Sequence, residues 1–369
     1  MSMIHYSNHL FIYSSNSTIM PKPTIIFYAE HAYYLPQFMP VVNALQQRGA
    51  AVEVVLDADK NADEPAATQR LTVTKLLQRV RQGTDWLVFG NEVSWLKQLP
   101  ASVKTALLYH GVGVKACYYD EALSHFDVRF TEGAFRHQQL QQRYPKSHFQ
   151  QVGFAKLDPI ALADGRQQQA LSLTELGLDP NKQTVLYAPT FYPSSIERMP
   201  LDWPQQFSDY NIIIKPHAFS MSHSKYDKQR QRFAHWQQAP NVHFAKQASL
   251  LPYMATADIL LSEASSALFE FAALNKPVIW IDFLQLRWSY RGPLRFRFDK
   301  RMDQSITEYA SVARHVSRPS KLFDAVQEEL KHPQQLAAER QRVTAELIGE
   351  VDGKVSARVA DYLLDNIDR

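Results

Sequence analysis

From residue 24 the chain alternates short β-rich apolar runs with longer helix-forming stretches. Residues 24–29 read TIIFYA, a buried strand; a helix-like stretch over 35–48 stops at Gly49, and residues 52–56 form the next strand. Further strands are predicted at 86–89, 105–109 and 128–131. Strands separated by helix-length segments point to a parallel sheet with crossover helices. Residues 151–158 close this half, and a polar, helix-forming stretch over 161–179 holds the linker. The pattern then restarts, with strands predicted at 184–187, 212–215, 242–244, 259–262 and 278–281, and closing helices at 322–330, 333–347 and 355–367. The expected fold class is α/β, with two doubly wound, Rossmann-like domains in series. The expected division is an extension over 1–22, a first domain over 23–165, a second over 166–345 and a C-terminal helix over 346–369. Ligands of such sheets sit beyond the carboxyl ends of the strands, so polar residues that directly follow a strand are the candidates for chemistry.

Composition narrows the class. With 369 residues, 45% hydrophobic and 21% charged, the chain is globular and long enough for two cores. A net charge of only +3 argues against a nucleic-acid partner. The single cysteine, Cys117, can form neither an internal disulfide nor a cysteine zinc site, which suits a reducing cytosol; it reads as a small buried hydrophobe. No apolar run is long enough to span a bilayer, and residues 1–20 lack Lys, Arg and a long apolar core, so they do not read as a signal peptide. The expected location is the cytoplasm, and a membrane-borne substrate would have to be visited from outside the bilayer.

Four strand ends carry candidate chemistry. The first is residues 259–270, ILLSEASSALFE, where a strand ends at Ser262 and a helix follows. Ser265 or Ser266 can cap that helix, and its N-terminus suits a phosphate. Glu263 follows the strand directly, and Glu270, one turn further on, can accept bonds from ribose hydroxyls. Plain capping fits the same spacing equally well. The second is IIIKPH, residues 212–217, where Lys215 and His217 can face a diphosphate. A solvated lysine and a packed histidine explain this motif alone as well. The third is LLYHGVGVK, residues 107–115, where His110 follows a strand in a glycine loop and can take a proton from a hydroxyl; a structural histidine in a tight turn is the alternative, and its position and the glycines favour the functional reading. The fourth is VLYAPT, residues 185–190, whose Thr190 can contact a nucleotide.

Other patterns carry less. Residues 111–116, GVGVKA, fit the loose dinucleotide fingerprint but follow the fourth strand of their half, so nicotinamide binding is not expected. Asp57-Ala-Asp59 fits the D-x-D of some metal-dependent glycosyltransferases, yet two acids in a βα loop explain it, and neither a metal nor another cofactor is expected. Residues 286–302, LRWSYRGPLRFRFDKRM, combine Arg287, Arg291, Arg295 and Arg297 with aromatics. Such a segment fits a polyanionic acceptor, an anionic lipid or a nucleic acid; a solvated loop with aromatic anchors is the plainer alternative, and the density of arginine favours a phosphate-rich anionic partner.

Taken in order, these motifs resemble the CDP-glycerol glycerophosphotransferases of teichoic-acid and capsule synthesis. The matching stretches are His110-Gly111 with Lys115, residues 153–158 (GFAKLD), residues 186–190, His217 and residues 262–266 (SEASS). Residues 269–272 (FEFA), Lys276-Pro277, residues 290–292 (YRG) and residues 352–358 (DGKVSAR) complete the set, which spans roughly residues 105 to 360. The sequence departs from the family pattern at Val112-Gly113, Glu263-Ala264 and Ala155-Lys156, and its Arg-Gly segment is basic.

The resemblance implies a GT-B-like architecture with two domains facing a central cleft and the donor held mainly by the second. It implies a CDP-activated donor, a lipid-linked or glycan acceptor and peripheral contact with the inner face of the cell membrane. His110 then matches the base, with His217 and residues 265–266 on the donor phosphates. Lys115 and the four arginines fall on the acceptor or polyanion side. The expected activity is transfer of glycerol phosphate from CDP-glycerol to a hydroxyl, releasing CMP. A GT-B glycosyltransferase using a nucleotide sugar, or a non-catalytic polyanion-binding relative, stays open.

Overall fold

A computed structural model describes residues 22–60, 69–112, 116–246, 249–286, 288–296 and 304–367. Seven strands form the first sheet: β1 Thr24–Ala29, β2 Ala51–Asp57, β3 Gln69–Leu71, β4 Trp86–Phe89, β5 Lys104–Leu108, β6 Val128–Thr131 and β7 Phe149–Gln151. Their order is β3-β2-β1-β4-β5-β6-β7, every pair parallel. Six strands form the second: β8 Thr184–Tyr187, β9 Asn211–Ile214, β10 Val242–Phe244, β11 Ile259–Ser262, β12 Val278–Ile281 and β13 Arg314–Val316. The order β10-β9-β8-β11-β12-β13 is again all parallel. Both sheets are therefore doubly wound, as the alternation predicts. Their switch points lie between β1 and β4 and between β8 and β11.

The apolar runs explain why these strands are central. Ile25 and Phe27 face one core and Ile26 and Tyr28 the other, so both faces of the first sheet are covered. The second sheet does the same, with Leu186 and Leu260 on one side and Val185, Tyr187 and Leu261 on the other. Each such fully buried side chain contributes about 1.5–3 kcal/mol. The strands that the apolar pattern misses are β3 (QRL), β7 (FQQ) and β13 (RHV). Each has three residues and sits at a sheet edge, where no apolar run is needed.

The chain returns to its first half at its end. Helix Val355–Asp365 buries Val355, Val359, Ala360 and Leu363 in the core under β1. Trp86 Nε1 donates to Leu363 O at 2.8 Å, and Arg48 pairs with Asp361 at 2.7 Å. Asp158 fixes the start of that helix, its carboxylate accepting from the N–H groups of Val355 (3.3 Å) and Ser356 (2.6 Å) and from the Ser356 hydroxyl. A carboxylate at a helix N-terminus is favourably placed. At another contact between the halves, a side chain on Gly133 would meet Glu346 O at 2.1 Å, so only glycine lets these backbones approach.

Lys276-Pro277 also has a structural explanation. The Lys276 ammonium donates to Met254 O (3.1 Å), Ala255 O (2.9 Å) and Ala257 O (2.7 Å), closing the end of helix Leu251–Thr256. Cys117 departs from expectation, for it is exposed. The short turn Ala116–Tyr119 turns Tyr118 and Tyr119 inward, with the Arg136 guanidinium 4.3 Å over the Tyr118 ring, and leaves the thiol outside.

Candidate active site

His110 stands two residues beyond β5, next to the switch point of the first sheet. Its Nδ1 lies 2.7 Å from Gly90 O, at the end of β4. A carbonyl oxygen only accepts, so Nδ1 carries the proton and the neutral ring keeps its lone pair on Nε2. The ring stacks on Tyr34 (centroids 4.1 Å apart, 14° between planes) and on Tyr109 (4.7 Å, 26°), with Tyr33 edge-on at 5.4 Å. Tyr34 belongs to the loop after β1 and is 2% exposed. Gly90 makes this stack possible, because a Cβ there would lie 2.5 Å from Tyr34 Cδ2. Sequence reading singled out His110 but neither Gly90 nor Tyr34. The available signal was positional: β1 and β4, which carry them, are the strands that flank the switch point.

His217 has the opposite arrangement. It caps the short helix Ala218–Ser222, its Nδ1 accepting from the Phe219 N–H at 3.1 Å. The proton of the neutral ring then sits on Nε2, a donor. Phe191 and Phe219 pack against the ring at 4.7 and 5.1 Å. Lys215, at the end of β9, is half-buried, and its Nζ lies 3.4 Å from Pro216 O. Burial first, and the positive charge of Lys156 second, push its pKa down.

At the switch point of the second sheet, Ser262 Oγ donates to Ala188 O at 2.8 Å and lies 3.0 Å from Ser265 Oγ. Ser265 is the N-cap residue of helix Ser266–Ala272 but makes no side-chain cap bond, so its hydroxyl leaves the first-turn amides to other acceptors. Ser265 and Ser266 are partly exposed. Glu263 is 2% exposed and accepts from Thr190 N (2.7 Å), Ser195 N (2.7 Å), Ser195 Oγ (2.5 Å) and Ser194 Oγ (3.4 Å). Burial raises its pKa, and the bonds from Ser195 and Thr190 oppose that shift. It therefore shapes the loop after β8. Thr190 gives its hydroxyl proton to Pro193 O at 2.6 Å, which leaves its oxygen as an acceptor.

Glu270 is fully buried, and its Oε2 lies 2.7 Å from the Lys156 ammonium, which comes from the first half of the chain. The lysine occupies the Oε2 side of the carboxylate, where a ribose hydroxyl would compete with it. Val112, two residues after His110, is buried in the same core as Ala188, Leu260 and Leu268. The loop that bears His110 is thus seated against the second half.

The basic segment begins beside the loop after β8. Gln285 N donates to Ser194 O at 2.8 Å, and the Tyr192 and Tyr290 rings lie 6.1 Å apart. Arg291 Nε donates to Leu286 O at 2.6 Å, and its guanidinium sits 5.9 Å from the Trp288 ring. Arg295 is exposed, whereas Lys115, Arg287 and Arg297 lie outside the described residues. The carboxylate of Asp57 accepts from Tyr28 Oη at 2.6 Å and from Asp59 N at 2.9 Å, so its oxygens serve the fold. Among the described residues, no helix is long and apolar enough to cross a membrane.

Residues 118–365 match the model of the CDP-glycerol:poly(glycerophosphate) glycerophosphotransferase family. No curated protein matches the chain. Among solved structures it is similar to the wall teichoic acid polymerase TagF, at 14% identity and TM-score 0.70 over 93% of this chain and 88% of that one. A TagF variant soaked with CDPG matches at 14% identity and TM-score 0.65, over 93% of this chain and 88% of that one. The UDP-GlcNAc 2-epimerase of Neisseria meningitidis, bound to UDP-GlcNAc, matches at 13% identity and TM-score 0.59, over 94% of this chain and all (100%) of that one. At these identities the likeness speaks for the fold, which is GT-B-like as expected.

Proposed function

The chain belongs to the CDP-glycerol:poly(glycerophosphate) glycerophosphotransferase family, and on that premise we propose that it moves glycerol phosphate from CDP-glycerol to a hydroxyl of a cell-surface polymer or lipid-linked acceptor. The observation that carries this reading is the pair of opposite histidine tautomers. His110 Nδ1 donates to Gly90 O and His217 Nδ1 accepts from the Phe219 N–H, so in the neutral rings Nε2 is an acceptor on His110 and a donor on His217. Phosphoryl transfer needs those two services, one for the attacking hydroxyl and one for the leaving phosphate.

The acceptor oxygen bonds to the β-phosphorus as the bond from that phosphorus to the bridging oxygen breaks. The acceptor proton passes to His110 Nε2, and CMP leaves. Lys215, His217 Nε2–H, Ser265, Ser266 and the helix amides hold the diphosphate. Such transfer depends on positioning and on neutralising charge. His217→Ala is expected to weaken competition by CDP for the donor site by about tenfold or more. Unchanged competition would remove His217 from that site.

Gly90 positions the base. Gly90→Ala forces the buried Tyr34 ring away from His110. We expect kcat to fall by about tenfold or more with the KM for CDP-glycerol unchanged; equal kcat would show that the stack does not orient the base.

The acceptor side we assign to the basic segment, which meets an anionic membrane surface. Trp288 is 84% exposed and Phe296 60%, beside Arg291 and Arg295. Aromatic anchors among arginines suit a negatively charged bilayer. Arg291→Glu with Arg295→Glu is expected to abolish co-sedimentation with phosphatidylglycerol vesicles at low salt. Full retention by that variant would put the contact elsewhere.

A further inference from the structure

The proposed phosphate cradle has a third cation, and it comes from the opposite half of the molecule. Lys156 follows Gly153 in the loop after β7, and its backbone N–H donates to Oε1 of the buried Gln37 at 2.8 Å, which ties it to helix Leu35–Gln47 of the first half. Its ammonium crosses to the second half and sits 2.7 Å from Glu270 Oε2. The Glu270 side chain is 1% exposed and that of Lys156 16%. Lys215 lies close enough to Lys156 to feel its charge, the second cause of its lowered pKa after burial. A second, half-buried ammonium thus stands beside the Lys156–Glu270 pair. Such a cluster has one positive charge in excess, and a buried excess charge is costly unless an anion joins it.

We propose that Lys156 is a ligand of the donor's diphosphate and that Glu270 holds it in readiness while the donor is absent. This rests on the CDP-glycerol reading. On binding, the diphosphate brings the negative charge that the cluster lacks, so Lys156 turns to it from Glu270 and Lys215 gains a counter-ion. Because Lys156 is anchored to the first half and Lys215 and Glu270 to the second, the donor is gripped from both sides of the cleft. The half that carries His110 thereby also holds the phosphorus that the base must serve. Glu270 accordingly acts as a positioning residue toward Lys156.

Titration calorimetry with cytidine, CMP and CDP isolates the term. Each added phosphate raises affinity through the cations, and cytidine reports the rest of the site. Lys156→Ala is expected to cut the gain in affinity from CMP to CDP by about tenfold or more, leave cytidine binding unchanged and be rescued by Lys156→Arg. The single variant leaves Glu270 buried and unpaired, which threatens folding. The double variant Lys156→Met with Glu270→Gln removes both charges and should show the same lost gain. A weakening equal for all three ligands would mean that Lys156 only holds the halves together, and an unchanged gain would mean that it never meets the diphosphate; either result overturns the assignment. Wild-type protein that binds none of the three overturns the donor reading itself, and the assignment with it.

Discussion

Replacing His110 with alanine is expected to lower glycerophosphate transfer by about 10²–10⁴-fold, the usual contribution of a positioned general base. Affinity for CDP should stay within about twofold, because His110 follows a strand of the first sheet and the proposed diphosphate ligands are other groups. One hydrogen bond orients the ring. Gly90 O fixes the proton on Nδ1, and the stack on Tyr34 and Tyr109 fixes the plane of the ring. The remaining lone pair then has one direction. His110→Gln tests the same point more gently, since an amide fills the space but cannot accept a proton from an alcohol. Full turnover in either variant would remove His110 from the reaction.

Glu263→Ala is expected to destabilise the protein by about 3–5 kcal/mol, a fall in melting temperature of roughly 10 °C. The carboxylate is buried and satisfies two backbone N–H groups and the Ser195 hydroxyl. Removing it leaves the two N–H groups in a dry site without that acceptor. Glu263→Gln is also expected to destabilise, by less, because an amide nitrogen would then face one of the two N–H groups. The effect is read by thermal unfolding. A melting temperature within 2 °C of wild type (about 1 kcal/mol or less) in Glu263→Ala would mean that the loop after β8 does not depend on this residue. The expectation that Glu263 meets the donor directly thus becomes an indirect one: it shapes the turn that carries Thr190.

Much of the fold was legible in the sequence. Central strands such as TIIFYA and TVLY announce themselves because a parallel sheet covered on both faces needs continuous apolar runs. Edge strands such as QRL and RHV have no such need and left no signal. Strand ends also marked His110, His217 and Ser262, since a doubly wound fold puts its ligands there. What a linear reading could not supply was partnership. Gly90 and His110 lie 20 positions apart and Lys156 and Glu270 more than a hundred, and only the strand order brings them together. The same limit explains Asp158, which reads as part of a motif and turns out to cap a helix 197 positions further on. It explains Cys117 as well, whose exposure follows from the inward turn of its tyrosine neighbours.

The donor is the central claim, and CMP release tests it most directly. Purified protein would be given CDP-glycerol and, in parallel, UDP-, GDP- and CMP-sugars, each with an acceptor-bearing membrane fraction, and the released nucleotide measured. The account predicts CMP from CDP-glycerol, nothing above background from the sugars, and loss of the signal in His110→Ala. Release of nucleotide from a sugar donor, with CDP-glycerol left intact, would contradict it: the same two sheets and the same histidines would then serve a reaction at an anomeric carbon.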